Sequence, residues 1–341
     1  MDTLLDSMRE RMPEDLYKYL KKQKSIPDIT VREKKPANVV VEVIQIGTSQ
    51  VKVYFPASSS GNMVVFVHFP GGICKRGINR DQSWCSNLAQ DSGSIYVAVD
   101  YPCAPQDSFR QILLECQSTL EQVRQLCQGR WKEKWDTDSN RIVLSGSSIG
   151  ATLAIIVAGI AARNNEPVYG LIALVPLIDT NPNLTDDPWG DNENTTGLTP
   201  DRLLSDLNAA FQNDDPRVRD HWHSNLRYMP NEVMRSLPRI FMVLAKLDIL
   251  YRSQLEFKTR LQDQHADLSC IEVNGLHQVK DLDCVTETAR EVRRYIWQAS
   301  KEFMVSAACS ANRGPAVVPE LRREEATERL CPYDVRRLTE L

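Results

Sequence analysis

The stretch "RIVLSGSSIGATLAIIVAGIAARNNE", Arg141 to Glu166, decides how this chain is read. It opens on a short apolar run with the character of a strand. It closes on a long Ala/Ile/Val run with no turn residue, which has the character of a buried helix. Between them, Gly146-Ser147-Ser148-Ile149-Gly150 sets two glycines around two serines. Glycine lets backbones approach closely and turn sharply. The junction is therefore either a tight turn that only redirects the chain or a turn that holds a hydroxyl up for chemistry.

Outward from this junction, strand-like and helix-like segments alternate. Upstream, "VVVEVIQI" (Val39 to Ile46) and "VKVYFP" (Val51 to Pro56) flank "GTSQ" and predict a hairpin. "MVVFVHF" (Met63 to Phe69) and "SIYVAVD" (Ser94 to Asp100) follow as strands, with a helical stretch around Trp84 and Leu88 between them. From Ser108 to Cys127, Ile112, Leu113, Cys116, Leu120, Val123 and Leu126 recur at helical spacing. Downstream come the strand "YGLIALVP" (Tyr169 to Pro176), then, after an interruption, "RIFMVLAKLD" (Arg239 to Asp248). A helix over Ser253 to Gln264, the strand "LSCIEV" (Leu268 to Val273) and a helix over about Val285 to Phe303 complete the pattern. Apolar strands alternating with helices predict an α/β fold: a mostly parallel sheet of about eight strands, covered by helices on both faces.

The interruption, residues 178–237, is rich in Asn, Asp, Pro and Trp and has one clear helical piece near Asp201 to Phe211. It is too long for a connector and has the size of a lid. The expected organisation is an N-terminal helix and linker (1–36), a first core part (37–177), the insertion (178–237), a second core part (238–303) and a charged tail (304–341).

The totals exclude several classes. The 341 residues are 42% hydrophobic and 25% charged, as in ordinary globular proteins, and the net charge of -4 gives no electrostatic case for nucleic acid or an anionic membrane. "MDTLLDSMRERMPEDLYKYLKK" has no apolar core of a secretory signal. The longest apolar run, Ile149 to Ala162, is too short for a bilayer, so no transmembrane segment is expected. Nine cysteines, an odd number with no CxxC pair, fit reduced thiols in a cytoplasmic protein. No cofactor or metal is expected, since His221-Trp222-His223 lacks an indicated third ligand. The sequence leaves a homodimer open.

In an open parallel sheet, chemistry sits beyond the carboxyl ends of the strands. Ser148, Asp248 and His277 each fall a few residues past a strand, and so on one rim. A serine hydroxyl is a weak nucleophile without a base, and an imidazole oriented by a carboxylate is such a base. Blander roles remain for each: a lone His is commonly a hydrogen-bonded core or surface residue, and an Asp after a strand is commonly a helix cap. Asp281 and Asp283 lie near His277 but on the following segment, which favours Asp248. Acyl transfer also requires donors for an oxyanion. Gly71 and Gly72 in "VHFPGGI" and the amide of Ile149 are the candidates, whereas Pro70 has no N–H to offer.

These motifs, in this order, resemble the hormone-sensitive-lipase-like branch of the α/β-hydrolases, which includes arylacetamide-deacetylase-type proteins and carboxylesterases. The resemblance runs from about Val39 to Phe303. "VVFVHFPGGI" is similar to the family's strand and His-Gly-Gly-Gly segment, with Phe69 at the His and Pro70 at the first Gly. "VDYPCAPQDSF" resembles Asp-Tyr-Arg-Leu-Ala-Pro-Glu, and "GSSIGA" stands where the family has Gly-Asp-Ser-Ala-Gly-Gly. "LAKLDIL" and "NGLHQV" resemble the segments carrying the acid and the base. The resemblance implies an α/β-hydrolase fold with a helical cap formed by the N-terminal helix and residues 178–237. It implies Ser148 as nucleophile, His277 as base, Asp248 as acid, and Gly71, Gly72 and Ile149 around an oxyanion hole.

The departures are informative. Ser147 replaces the family's Asp, so whatever that carboxylate anchors is absent or rearranged. Phe69 and Pro70 would stiffen the glycine turn and narrow the acyl side. Gln278-Val279 replaces Gly-Phe after the histidine. Trp189, Trp222, His221 and His223 would line an aromatic pocket or simply pack the cap. Three functions fit: hydrolysis of small to medium carboxylic esters, a specialised hydrolase or cyclase acting on one biosynthetic intermediate, or a non-catalytic ligand-binding protein.

Overall fold

The computed structural model describes residues 39–47, 49–57, 63–74, 81–182, 188–192, 198–264 and 267–277, with a few isolated positions toward either end. The expected N-terminal helix, the helix over about Val285 to Phe303 and the tail 304–341 lie outside these residues.

Eight strands form one sheet: β1 (Val39–Ile46), β2 (Ser49–Pro56), β3 (Met63–Phe69), β4 (Ile95–Asp100), β5 (Thr137–Ser147), β6 (Gly170–Leu174), β7 (Arg239–Ala245) and β8 (Leu268–Val273). Their order is β1-β2-β4-β3-β5-β6-β7-β8. β1 and β2 pair antiparallel, and so do β2 and β4. β3 to β8 are mutually parallel. The burial patterns give the reason. Every residue of β3 and β6 is buried, as expected where helices cover both faces, while edge strand β1 is a mix of half-buried and exposed positions that buries only Ile46.

The helices are α1 (Gln82–Ser92), α2 (Phe109–Gln128), α3 (Arg130–Trp135), α4 (Ile149–Arg163), α5 (Pro200–Phe211), α6 (Asn231–Ser236) and α7 (Tyr251–Gln264). α2 starts at a capping box in which Ser108 and Gln111 satisfy each other's backbone N–H groups. Of the stripe read from the sequence it buries Ile112, Leu113, Cys116, Leu120 and Val123, with Leu126 half-buried against the same core. α3 and α6, six residues each, are not foreseen; fewer than two turns give no readable period.

The sheet separates two apolar layers. Along β3, Val65, Val67 and Phe69 enter the larger core with α2 and α4, while Val64 and Phe66 enter the smaller one with Trp84 and Leu88 of α1. A strand's period of two therefore sends His68 toward the α1 side. The same alternation sends Ser145 and Ser147 of β5 there, since Val143 lies on that side and Leu144 on the other.

The inserted segment packs directly on the core. α6 lies on α4, and a side chain at Gly159 would meet Val233 at 2.9 Å and the Trp222 ring at 3.2 Å. Phe211 of α5 stacks on Phe109 at 4.8 Å. No helix among the described residues is long and apolar enough to cross a membrane.

Candidate active site

β5 ends at Ser147 and α4 starts at Ile149, so Ser148 alone makes the turn. Its φ of 54° and ψ of -127° are costly for a residue with a Cβ, on the order of 1–3 kcal/mol. The flanking glycines permit the turn because strand and helix nearly touch. A Cβ on Gly146 would stand 2.2 Å from the Gly150 carbonyl oxygen, and one on Gly150 would stand 2.0 Å from that of Phe69. No side chain fits either place. The reward is position: Ser148 stands at the α4 N-terminus, where the helix dipole favours negative charge.

Two loops bring the partners. The loop after β7 carries Asp248 and the loop after β8 carries His277. They are joined by Lys246 N–H donating to Val273 O at 2.9 Å and Leu247 N–H donating to Gly275 O at 3.0 Å. His277 Nε2 lies 2.9 Å from Ser148 Oγ, and His277 Nδ1 lies 2.7 Å from Asp248 Oδ2. With the carboxylate accepting from Nδ1–H, the neutral ring presents Nε2 as acceptor for the serine O–H. The Asp248 carboxylate is fully buried, its second oxygen accepting from Leu250 N–H, while the imidazole is 13% exposed.

Gly71 and Gly72 follow β3, and Gly71 faces the elbow: a Cβ on it would lie 3.0 Å from Ser147 O and 3.2 Å from Ser148 Cβ. Tyr101, buried just past β4, donates its hydroxyl to Pro70 O at 2.5 Å. In a planar trans peptide the C=O and N–H point oppositely, so this bond turns the Gly71 N–H away from Tyr101. Ile149, the first residue of α4, has an N–H with no carbonyl one turn earlier in its helix. One expectation is corrected here. Phe69 is completely buried in the larger core and meets Tyr101 edge-on at 6.5 Å. Its ring supports the turn from below and does not narrow an acyl pocket, because alternation along β3 points it into the core.

Tyr101 and Asn192 have roles around the elbow and Asp248 that the sequence does not announce. In the sequence Tyr101 stands out only within the motif "VDYPCAPQDSF". Asn192, in a 3-10 turn (Gly190–Asn192) of the insertion, donates to both Lys246 O and Asp248 O at 2.9 Å. Nothing in "WGDNENTT" announces that role.

The aromatic residues of the insertion divide. Trp222 is buried against α4, and His223 packs on it with ring centroids 4.1 Å apart. Burial, then the neighbouring His221 and Arg163, hold the His223 imidazole down to about 3. Trp189 lines a small, open surface pocket with Asp179, Arg227 and Leu250. Among the described residues no group of three His, Cys, Asp or Glu is placed to hold a metal ion.

A sequence profile described as alpha/beta hydrolase fold matches residues 64–279. Human arylacetamide deacetylase-like 3 is 28% identical over 124 residues, 35% of this chain and 29% of that protein, so the match spans under a third of that relative. Human arylacetamide deacetylase-like 4 is 22% identical over 294 residues, 69% of this chain and 70% of the relative. In fold, the chain is similar to the hyperthermophilic esterase of Pyrobaculum calidifontis, with a TM-score of 0.70 at 19% identity over 79% of this chain and 86% of that one. With the profile covering well over half its length, this chain belongs to the alpha/beta hydrolase fold family, in the hormone-sensitive-lipase-like branch with the arylacetamide deacetylase-type proteins.

Proposed function

We propose that the protein is a serine hydrolase that cleaves carboxylic esters of small to medium organic molecules through Ser148, His277 and Asp248. The observation carrying this reading is the unbroken chain of contacts from Ser148 Oγ through both ring nitrogens of His277 to the buried carboxylate of Asp248. Likeness to proteins named as arylacetamide deacetylase-like and as an esterase supports the same class.

Ser148 Oγ attacks the ester carbonyl carbon while His277 Nε2 takes its proton, and Asp248 stabilises the imidazolium. The carbonyl oxygen becomes an oxyanion that accepts from the N–H groups of Gly71, Gly72 and Ile149. Collapse breaks the bond to the alkoxy oxygen, which leaves as the alcohol with the proton from His277. Water, deprotonated by His277, then attacks the acyl-enzyme, and the acid departs as Ser148 recovers its proton. Residues 178–237 act as the cap above this site. The substrate is a small molecule, and the reaction requires no cofactor. The odd number of cysteines, with no CxxC pair, is the ground for a cytoplasmic setting.

The test is turnover of p-nitrophenyl butyrate and labelling by a fluorophosphonate. Wild type turns over and is labelled on Ser148, and Ser148→Ala loses at least about 1,000-fold in kcat. Equal turnover by the two proteins would end the assignment.

A further inference from the structure

Where the family has an Asp before the nucleophile, this chain has Ser147, yet a carboxylate still reaches the place. Asp81 Oδ2 lies 3.4 Å from Ser147 Oγ and 2.8 Å from His68 Nε2. On the other side of that ring, His68 Nδ1 lies 2.9 Å from Ser145 Oγ. His68 and Ser145 are register partners on adjacent parallel strands, and Ser147 is the next β5 residue on the same face. His68 is fully buried, and the Asp81 side chain is 9% exposed. A consistent proton arrangement has Ser147 O–H and His68 Nε2–H donating to the carboxylate, and Ser145 O–H donating to His68 Nδ1.

The backbone of Asp81 supplies an independent observation. It is the N-cap residue of α1, where an Asp side chain ordinarily accepts from the first-turn N–H groups and stabilises the helix by about 1 kcal/mol. Here it makes no such bond. Its φ of 57° is left-handed, a conformation Asp tolerates better than most residues but still at a cost. The side chain is thus held away from its local role and directed into the sheet, toward Ser147 and His68.

We propose that Asp81 replaces the family's elbow carboxylate and acts as the positioning residue for both halves of the site. Through Ser147 it holds the residue before the nucleophile, whose O and Oγ form the wall 3.0 and 3.1 Å from a Cβ placed on Gly71. Through His68 it holds the end of β3, two residues before Pro70. One carboxylate thereby fixes the separation between nucleophile and glycine turn. This rests on the reading of Ser148 as nucleophile.

The experiment measures kcat and KM on p-nitrophenyl butyrate per active site titrated with a fluorophosphonate, alongside melting temperature. Asp81→Asn lowers kcat per titrated site by roughly 10- to 100-fold with KM little changed, the scale expected of misplaced reacting groups. Adding Ser147→Asp to Asp81→Asn returns the carboxylate at the elbow and recovers most of the lost kcat. Should Asp81→Asn fail to fold, Ser147→Ala, which keeps the Asp81–His68 pair, decides with an expected fall of about threefold or more. A lower melting temperature with unchanged kcat per titrated site overturns the proposal, as does a double variant as slow as Asp81→Asn, or an unimpaired Ser147→Ala where that variant decides. Wild type that is neither labelled nor active overturns the reading of Ser148 and this proposal together. Labelled, active wild type with an unimpaired Asp81 variant overturns the positioning role alone.

Discussion

Among the described residues stand two Ser–His–Asp trios, their serines three positions apart. One is Ser148, His277 and Asp248 on the rim; the other is Ser145, His68 and Asp81 on the α1 face. Their contact distances are nearly the same: 2.9 and 2.7 Å in the first, 2.9 and 2.8 Å in the second. What separates them is backbone and access. Ser148 leaves the sheet at a φ of 54° and its His277 partner is partly exposed, whereas Ser145 sits in the ladder and His68 is sealed. A hydroxyl, an imidazole and a carboxylate within reach of one another are not enough for chemistry. On the proposed function, the strained turn that lifts Ser148 out of the ladder is what sets the reactive hydroxyl apart from the structural one.

The sharpest way to break this comparison is to cut each trio at one member. His277→Gln is expected to lower kcat at least about 1,000-fold with a nearly unchanged melting temperature, because the ring is peripheral to the core. Ser145→Ala is expected to leave kcat within about threefold while costing about 1–3 kcal/mol in denaturant unfolding, since the buried His68 Nδ1 loses its donor. The reverse pattern would show that the inner trio carries the chemistry. Next in size is Tyr101→Phe. It removes the bond that orients the Pro70–Gly71 peptide and should lower kcat about tenfold, with fluorophosphonate labelling slowed in parallel.

The smallest effect comes from a second buried imidazole, whose surroundings contrast with those of His68. His68 faces a carboxylate, whereas His223 faces His221 and Arg163 and stays neutral down to about 3. The unfolded chain takes up that proton near its ordinary value of 6.5 and the folded one only near 3, so the unfolded state binds more protons between them. His223 therefore contributes full stability above about pH 6.5 and loses it as the pH falls toward 3, by up to roughly 1.4 kcal/mol per unit. Urea unfolding at about pH 7.5 and about pH 5.5 measures this slope, and His223→Gln should flatten it.

The sheet was legible because its strands are sandwiched. "MVVFVHF" and "GLIAL" read as continuous apolar runs, and the structure places them as β3 and β6 with every position buried. Ser148, Asp248 and His277 were legible as positions past strand ends, where a parallel sheet concentrates its polar loops. The inner trio was not, although a signal existed. His68, Ser145 and Ser147 are polar residues at alternate positions of otherwise apolar strands, and each requires a buried partner. That Asp81 is the partner follows from α1 packing on that face, and no local pattern joins residues 66 positions apart. Asn192 was invisible for a similar reason: its amide matters only because the insertion folds back onto the loop after β7.

That amide ties substrate preference to speed. Asn192 belongs to the inserted segment proposed as the cap, yet it grips the main chain of Asp248, the residue proposed to orient the general base. Reshaping the roof to admit a bulkier guest would slacken this clasp and blur the imidazole's aim. Variation among descendants of this chain should therefore avoid residue 192 even where everything around it drifts, and a grafted foreign roof would work well only if it brought a donor to the same two carbonyls.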